Sequence, residues 1–242
     1  MSAELTNEIA LITGAGRGIG RATALRFAGA GCDVALVART RAELESVAAE
    51  AAAAGRRALV LPADVTDDAQ LAALVEKTSR ELGGVSILVN NAAAAPPRTA
   101  FSKSSMHEWD RVLATCLRAP MALTRLLLPD MLARRRGAII NLASIAARTA
   151  RAGEAAYAAS KAGLVAFTHA LFAEVRNSGV KVVAVCPGYV DTALVPPNRR
   201  VDRSKFLQSE DVAESIFQIL TSAPRACPTE VILEPQFDPE RV

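Results

Sequence analysis

Aromatic residues are scarce in this chain of 242 residues: they make up 4% of it, against 51% for all hydrophobic residues together. The core must therefore consist mainly of Ala, Leu, Val and Ile. Only two histidines and four cysteines are present, and the cysteines have no CxxC or metal-type spacing (Cys32, Cys116, Cys186 and Cys227). We therefore expect no metal site and interpret the cysteines as reduced thiols of a cytoplasmic protein.

A strong excess of one charge is missing as well. The formal net charge of +3 is too small to argue for nucleic acid or an anionic membrane as a partner. No apolar run is long enough to span a bilayer, and the N-terminus lacks a signal-peptide pattern. The length fits one α/β domain over residues 1–242.

Short apolar runs alternate with longer helical patterns along the chain. Strands are predicted at residues 8–13, 33–39, 57–61, 86–90, 138–144, 181–186 and 230–233. Helices are predicted at residues 21–30, 41–54, 67–82, 105–136, 153–173 and 210–221, with Pro120 and Pro129 expected to kink or divide the fourth. Such alternation is typical of a doubly wound parallel sheet with helices on both faces.

A glycine-rich turn follows the first predicted strand and precedes the first predicted helix. It runs Gly-Ala-Gly-Arg-Gly-Ile-Gly from Gly14 to Gly20. Strand, glycine turn and helix in this order are the context that a dinucleotide fingerprint requires. Gly14 permits the tight turn, the middle glycines let the backbone approach a pyrophosphate, and Gly20 lets the helix pack closely. The turn therefore predicts a dinucleotide site.

Tyr157 and Lys161 are four residues apart in a predicted helix. Residues at this spacing lie on one helix face. An ammonium near the phenol should lower the phenol's pKa from about 10 towards neutrality. Ser144, at the end of a predicted strand, can come close to the same phenol. Because Tyr-x-x-x-Lys also occurs on many helices by chance, the pair needs a second motif to support it.

Together with the glycine turn, these residues resemble the short-chain dehydrogenase/reductase family over nearly the whole chain. The other matching motifs, in the family's order and spacing, are Asp64-Val65, Asn90-Asn91-Ala92 and Pro187-Gly188-x-x-x-Thr192. The resemblance implies a Rossmann-like fold. Since ligands bind at the carboxyl ends of the strands in such a sheet, the following residues, each just after a predicted strand, should share one edge: Gly14, Arg39, Asp64, Asn91, Ser144 and Pro187.

The resemblance also implies roles. Tyr157 would donate a proton to a substrate carbonyl, Ser144 would hydrogen-bond the same oxygen, and Lys161 would lower the pKa of Tyr157 and hold the nicotinamide ribose. Asn90 would brace the central strand. The implied cofactor-binding residues are Gly14, Gly16, Arg17, Ile19, Gly20, Arg39, Asp64, Val65, Asn91, Tyr157, Lys161, Val190 and Thr192. For Asp64, a role as a helix N-cap is an open alternative to contact with adenine.

The end of the second predicted strand indicates which cofactor binds. Family members that prefer NAD carry a carboxylate there for the ribose 2′-hydroxyl, whereas this chain has Ala38 followed by Arg39. Arg39 and Arg17 could instead hold a 2′-phosphate through charge-assisted hydrogen bonds. We therefore expect NADP(H) and carbonyl reduction. The alternative is that both arginines are solvated surface groups.

Three departures from the family leave a second function open. Cys116 stands where most members carry an Asn that helps hold a proton-relaying water, and a thiol is a weak substitute. Ala93 replaces a usual Gly, and the ending from Glu230 to Gln236 lacks the Asp-Gly-Gly of several subgroups. The chain could therefore be a cofactor-binding scaffold or sensor without useful turnover.

The acceptor is expected between the loops at residues 93–106, 145–154 and 189–206. Arginines in these loops favour an anionic or polar acceptor, although surface arginines are common (Arg98, Arg148, Arg151 and Arg199). Related proteins assemble through the helices after the fourth and fifth strands. The apolar faces of residues 113–132 and 155–172 are compatible with a homodimer or homotetramer.

Overall fold

In the computed structural model, the described residues are 5–96, 98–195, 201–223 and 225–240. Among them the strands are β1 (Ile9–Thr13), β2 (Asp33–Ala38), β3 (Ala58–Pro62), β4 (Ile87–Asn90), β5 (Gly137–Leu142), β6 (Val180–Pro187) and β7 (Glu230–Leu233). The α-helices are α1 (Gly18–Gly29), α2 (Arg41–Ala53), α3 (Asp68–Glu81), α4 (Met106–Leu113), α5 (Ala119–Ala133), α6 (Ala155–Val175) and α7 (Ser209–Thr221). All the predicted strands and helices are present, with ends that differ by a few residues.

The strands form one sheet in the order β3-β2-β1-β4-β5-β6-β7. Every neighbouring pair is parallel. The chain runs from β1 outward to β3 and then returns to place β4 on the other side of β1. The order therefore reverses between β1 and β4, which is where ligands bind in such sheets. The predicted Rossmann-like parallel fold is confirmed.

Different helices cover the two faces of the sheet, because alternate strand residues point to opposite faces. On β1, Ile12 belongs to the core formed with α1, α2 and α7, while Leu11 belongs to the core formed with α3, α5 and α6. Near-continuous apolar strands are therefore needed, and the sequence supplies them. This double covering fixes the carboxyl ends of the strands, where the site lies.

The prediction that two prolines divide the fourth helix is only partly right. The helix is continuous from residue 106 to 133, and α4 passes into α5 through a π-helical turn, Ala114–Arg118. Pro120 lies in the first turn of α5 and Pro129 inside it. A π turn shifts the backbone hydrogen bonds by one residue, so the irregularity precedes Pro120, and Pro129 does not break the helix.

By length and composition alone, this continuous helix could cross a membrane. The sequence did not suggest this, because charged residues interrupt the apolar run. In the fold, one side of α5 packs on the sheet through the buried Leu123, Leu127 and Met131.

Candidate active site

A cleft of about 1680 Å³ opens at the carboxyl edge of the sheet. Ordinary small-molecule pockets measure roughly 300–1,000 Å³, so this one has room for a dinucleotide and a second small molecule. All of the predicted site residues line it except Gly20, the last glycine of the turn, which lies in the first turn of α1. The motifs that are scattered along the sequence therefore meet at one place.

The glycine turn needs its glycines for two different reasons. Gly14 and Gly18 have φ of +65° and +57°, in the left-handed region that residues with a Cβ rarely adopt. A Cβ on Gly20 would lie 2.2 Å from the carbonyl oxygen of Gly14. The side chain of Arg17, the residue before α1, does not cap the helix. Backbone N–H groups at the start of α1 can therefore bind an anion in the cleft.

Asn91 holds this turn against the end of β1. Its backbone N–H donates to Thr13 Oγ1 at 2.9 Å, and its Nδ2 donates to the carbonyl oxygens of Thr13 at 2.8 Å and Gly14 at 3.2 Å. Asn90 Nδ2 donates to Asn141 Oδ1 at 2.8 Å and joins β4 to β5, as the expected brace would. The two asparagines thus fix the backbone on both sides of the switch in strand order.

Asp64 is not a helix N-cap, and that alternative is wrong. Its carboxylate accepts from the backbone N–H and the hydroxyl of Thr66 at 2.9 and 2.7 Å. These hydrogen bonds hold the pKa of Asp64 below its usual value. The cap of α3 is Asp67, which accepts from the N–H groups of Ala69 and Gln70. Asp64 therefore shapes the turn beyond β3, where it lines the cleft beside Val65.

The predicted cationic groups lie in the glycine turn and just beyond β2. They are accompanied by one acidic group that the sequence did not indicate. Arg17 and Arg39 both line the cleft. Glu43, in the first turn of α2, lies 3.9 Å from Arg17 and packs against Gly16. The sequence pattern of residues 41–54 predicted a helix. It did not predict that the first helical turn would contact the glycine-rich loop. β2 ends at Ala38, so the last residue of this strand carries no carboxylate.

Ser144, Tyr157 and Lys161 come together on the opposite side of the cleft. Ser144 lies just beyond β5, and its hydroxyl accepts from the N–H of Ala146 at 3.1 Å. Tyr157 and Lys161 are buried on one face of α6. The ammonium of Lys161 lies 5.6 Å from the centroid of the Tyr157 ring and donates to the carbonyl oxygen of Leu142 at 2.5 Å. An ammonium has three donors, so two remain.

The expectation of a lowered pKa for Tyr157 is wrong for this structure. Burial raises the pKa of Tyr157 well above its usual value, and hydrogen bonding with Ser144 offsets this only in part. Burial also lowers the pKa of Lys161. Helical spacing brought the two side chains to the same face, but it could not show how strongly the surrounding protein removes water from both. Tyr157 is therefore a neutral phenol here.

Cys116 lies in the π turn and is fully buried. Its sulfur accepts the backbone N–H of Ala94 at 3.3 Å and lies 3.8 Å from the Ala94 carbonyl oxygen. It packs in a small apolar cluster with Tyr157 and Ala146, against which Ala93 also packs. The thiol thus ties α4 and α5 to the loop after β4, in the apolar surroundings of the phenol.

Comparison with known proteins identifies the family. The family described as short chain dehydrogenase matches residues 8–202. The chain belongs to the short-chain dehydrogenase family. The family binds a nicotinamide cofactor.

Two relatives and two solved structures agree with this. The ketoacyl reductase HetN of Nostoc sp. is 37% identical over 229 residues, covering 95% of this chain and 79% of that one. An uncharacterized oxidoreductase of Staphylococcus aureus is 32% identical, covering 96% and 98%. A metagenomic short-chain oxidoreductase in complex with NADP has a TM-score of 0.85 at 31% identity, covering 97% and 100%. One from Mycobacterium marinum has a TM-score of 0.89 at 27% identity, covering 97% and 96%.

In this short-chain dehydrogenase, the acceptor side of the cleft differs from the expectation in detail. Arg98 and Arg151 line the cleft, but Arg148 turns away to pair with Glu230, and Arg199 lies outside the described residues. The C-terminal segment also lines the cleft and was not predicted (Glu234, Pro235, Gln236, Asp238, Pro239 and Glu240). The unusual ending after β7 was the only feature of the sequence that could have indicated it.

Proposed function

We propose that this protein is an NADP(H)-dependent carbonyl reductase that interconverts a ketone and an alcohol. The observation that carries the proposal is the convergence of Ser144, Tyr157 and Lys161 on the cleft that the glycine turn lines. A similar solved structure holds NADP, and a relative is named a ketoacyl reductase, which supports the same chemistry.

The residues around the glycine turn fit a phosphorylated dinucleotide. Uncapped N–H groups at the start of α1 suit the pyrophosphate, and the guanidinium groups of Arg17 and Arg39 suit the 2′-phosphate. Val190 and Thr192, in the loop after β6, would hold the carboxamide. When bound, the cofactor supplies the hydride, and the protein contributes position and charge.

The proton chemistry follows from the burial of Tyr157. A raised pKa keeps its hydroxyl protonated at neutral pH, so it can donate to a carbonyl oxygen as negative charge develops there. Ser144 would donate a second hydrogen bond to that oxygen. The two remaining N–H donors of Lys161 would hold a ribose hydroxyl and stabilise the phenolate that forms. A phenol that keeps its proton is in the protonation state that reduction requires.

Turnover of a ketone panel with NADPH, measured by loss of its absorbance, tests the proposal. Tyr157→Phe removes only the hydroxyl from a buried ring, so we expect turnover to fall by at least about 100-fold, since a general acid contributes 10²–10⁴-fold. The affinity for NADPH, measured by fluorescence titration, should stay within a few-fold of wild type. Undiminished turnover in Tyr157→Phe would rule out the mechanism.

The pH dependence of the same reaction checks the direction of the pKa shift. Because the pKa of Tyr157 is raised, its acid form persists as pH increases. We expect kcat for reduction to stay level between about pH 6 and about pH 9, since the ordinary tyrosine pKa is already near 10. A decline with an apparent pKa near neutrality would mean that Lys161 overcomes the effect of burial.

Cys116 favours a second candidate, a cofactor-binding scaffold or sensor without useful turnover. Its sulfur accepts the N–H of Ala94, and the resemblance implies an Asn at this position in most family members. Tight NADPH binding with no turnover on a broad panel, unchanged by Cys116→Asn, would support this candidate. Turnover gained in Cys116→Asn would instead identify a reductase slowed by its proton supply.

We also propose that the protein works in the cytoplasm as a homodimer or homotetramer on a small carbonyl or alcohol substrate. Met121 and Leu126 are apolar side chains exposed on α5, which suits contact with a second copy. Light scattering on the purified protein would measure the assembly. A monomer at micromolar concentration would contradict it.

A further inference from the structure

The segment after β7 crosses the acceptor side of the cleft. It is anchored at its start, where the N–H of Gly188 donates to the Leu233 carbonyl at 2.7 Å. Near its end, the N–H of Asp202 donates to the Pro239 carbonyl at 2.9 Å. Between these anchors the segment lies against the loop after β6, so its last side chains lie at the edge of the space left for an acceptor.

Glu240 brings a carboxylate to two side chains from different loops. It forms an ion pair with Arg151, from the loop after β5, and it accepts from the hydroxyl of Tyr189 at 3.0 Å. Arg151 also hydrogen-bonds that hydroxyl, and its guanidinium lies 4.7 Å from the centroid of the Tyr189 ring. A guanidinium and a phenol thus converge on one carboxylate within the cleft.

The aromatic part of this arrangement is fixed, whereas the ionic part is exchangeable. The Tyr189 ring stacks on Phe206, with centroids 4.9 Å apart and planes at 12°, and Phe206 is buried. The side chains of Arg151 and Glu240 are 48% and 53% exposed. Exposed ion pairs contribute little to stability, so another carboxylate can replace Glu240 at small cost.

Two described carboxylates nearby, Asp191 and Asp238, are already engaged. Asp191 pairs with Arg203, whose guanidinium also donates to the Val195 carbonyl at 2.8 Å. The Asp238 carboxylate accepts from the N–H of Glu240 at 2.9 Å. Arg203 does not line the cleft, whereas Arg151 does, and Arg151 binds a carboxylate through an exposed contact that can be exchanged.

We propose that Arg151 and Tyr189 form a binding site for a carboxylate group on the acceptor, and that Glu240 occupies this site until such an acceptor displaces it. The inference rests on the proposed reductase function and narrows its substrates to oxo acids. Glu240 competes as an internal ligand, whose tethering gives it a high effective concentration.

The test uses straight-chain oxo acids, with different numbers of methylenes between ketone and carboxylate, together with their methyl esters. In Glu240→Gln the internal competitor loses its charge, so the KM for the best oxo acid should fall by about 2- to 5-fold while that for its ester stays unchanged. In Arg151→Gln, the ratio of kcat/KM for acid over ester should fall by about 10-fold or more. Glu76→Gln, an exposed carboxylate on α3, should change neither value.

Calorimetry of the same oxo acids with the protein saturated with NADP⁺ separates this inference from the proposed function. Binding that strengthens in Glu240→Gln and is lost in Arg151→Gln supports the carboxylate site, even where no ketone is turned over. An acid-to-ester ratio unchanged in both variants, with esters still reduced, would overturn the site while leaving the reductase in place.

Discussion

The two halves of the cleft are built in different ways. The cofactor half is centred on consecutive residues of the glycine turn, held by hydrogen bonds from the backbone N–H and the side chain of Asn91. The acceptor half is assembled from segments far apart in sequence, joined by exposed side chains such as Arg151 and Glu240. The glycine turn itself is therefore specified by a short stretch of sequence, and its glycines tolerate almost no change. The acceptor half is specified only by the tertiary fold and can rearrange.

The free-energy cost of a substitution therefore differs between the two halves. In the cofactor half, even one added methyl group at Gly20 would overlap a backbone oxygen, and close-packed structure responds to such changes with strain. In the acceptor half, the contact between Arg151 and Glu240 is a surface ion pair, a kind of contact typically worth about 0–1 kcal/mol. We expect substitutions of the turn glycines to cause a severe loss of cofactor affinity. Substitutions near the C-terminal segment should instead change the preference among acceptors.

The largest effect is expected for Gly20→Ala. The new methyl group would lie 2.2 Å from the Gly14 carbonyl oxygen, so the turn must shift. We expect NADPH affinity to fall by about 100-fold or more, because displacements near 1 Å can have effects of this size. Fluorescence titration measures the affinity, and urea unfolding should show a loss of about 1–3 kcal/mol.

Gly29→Ala, at the other end of the same helix, is the matched control. Nothing lies within 4 Å of a Cβ there, so the change should be neutral or stabilising by up to about 1 kcal/mol. Equal losses in both variants would show that the effect at Gly20 does not come from its close approach to the Gly14 carbonyl oxygen, and the contrast drawn from the turn would fail.

A smaller effect is expected for Arg39→Ala. Arg39 lines the cleft beyond β2 and is exposed, so water screens its charge. We expect NADPH affinity to fall by about 10-fold, the value of one screened charge-assisted contact, while NADH affinity is unchanged. Competitive titration of both cofactors measures this. An equal loss for NADH would mean that Arg39 supports the fold of the loop and does not contact a 2′-phosphate.

The fold and the cofactor half could be predicted because their determinants are local. Buried parallel strands must be apolar along their length, and the glycine turn has to carry glycines where φ is positive. Helical spacing likewise placed Tyr157 and Lys161 on one face, and the end of a strand placed Ser144 nearby. In each case a short stretch of sequence was enough to make the prediction.

The remaining features depend on burial and on long-range contacts. The pKa of Tyr157 follows from the removal of water by the surrounding protein, which no spacing of residues reveals. The choice of Asp67 over Asp64 as the cap of α3 depended on the residue at which the helix begins. The contact between Glu240 and Arg151 joins residues 89 positions apart. Such contacts depend on the order of the strands in the folded sheet.

The smallest effect, and one of opposite sign, is expected for Glu43→Gln. Glu43 lies 3.9 Å from Arg17, an exposed guanidinium, and so competes with an incoming phosphate for it. Removing the charge while keeping the shape should increase NADPH affinity by about 2- to 5-fold, since exposed pairs are worth at most about 1 kcal/mol. Glu45→Gln, which instead affects a pair with Arg41, is the control and should have no effect. Raising the salt concentration should shrink the gain, because salt screens both charges. A decrease in affinity in Glu43→Gln would mean that Glu43 positions Arg17 for the phosphate, and part of the cofactor half would then depend on side-chain pairs, as the acceptor half does.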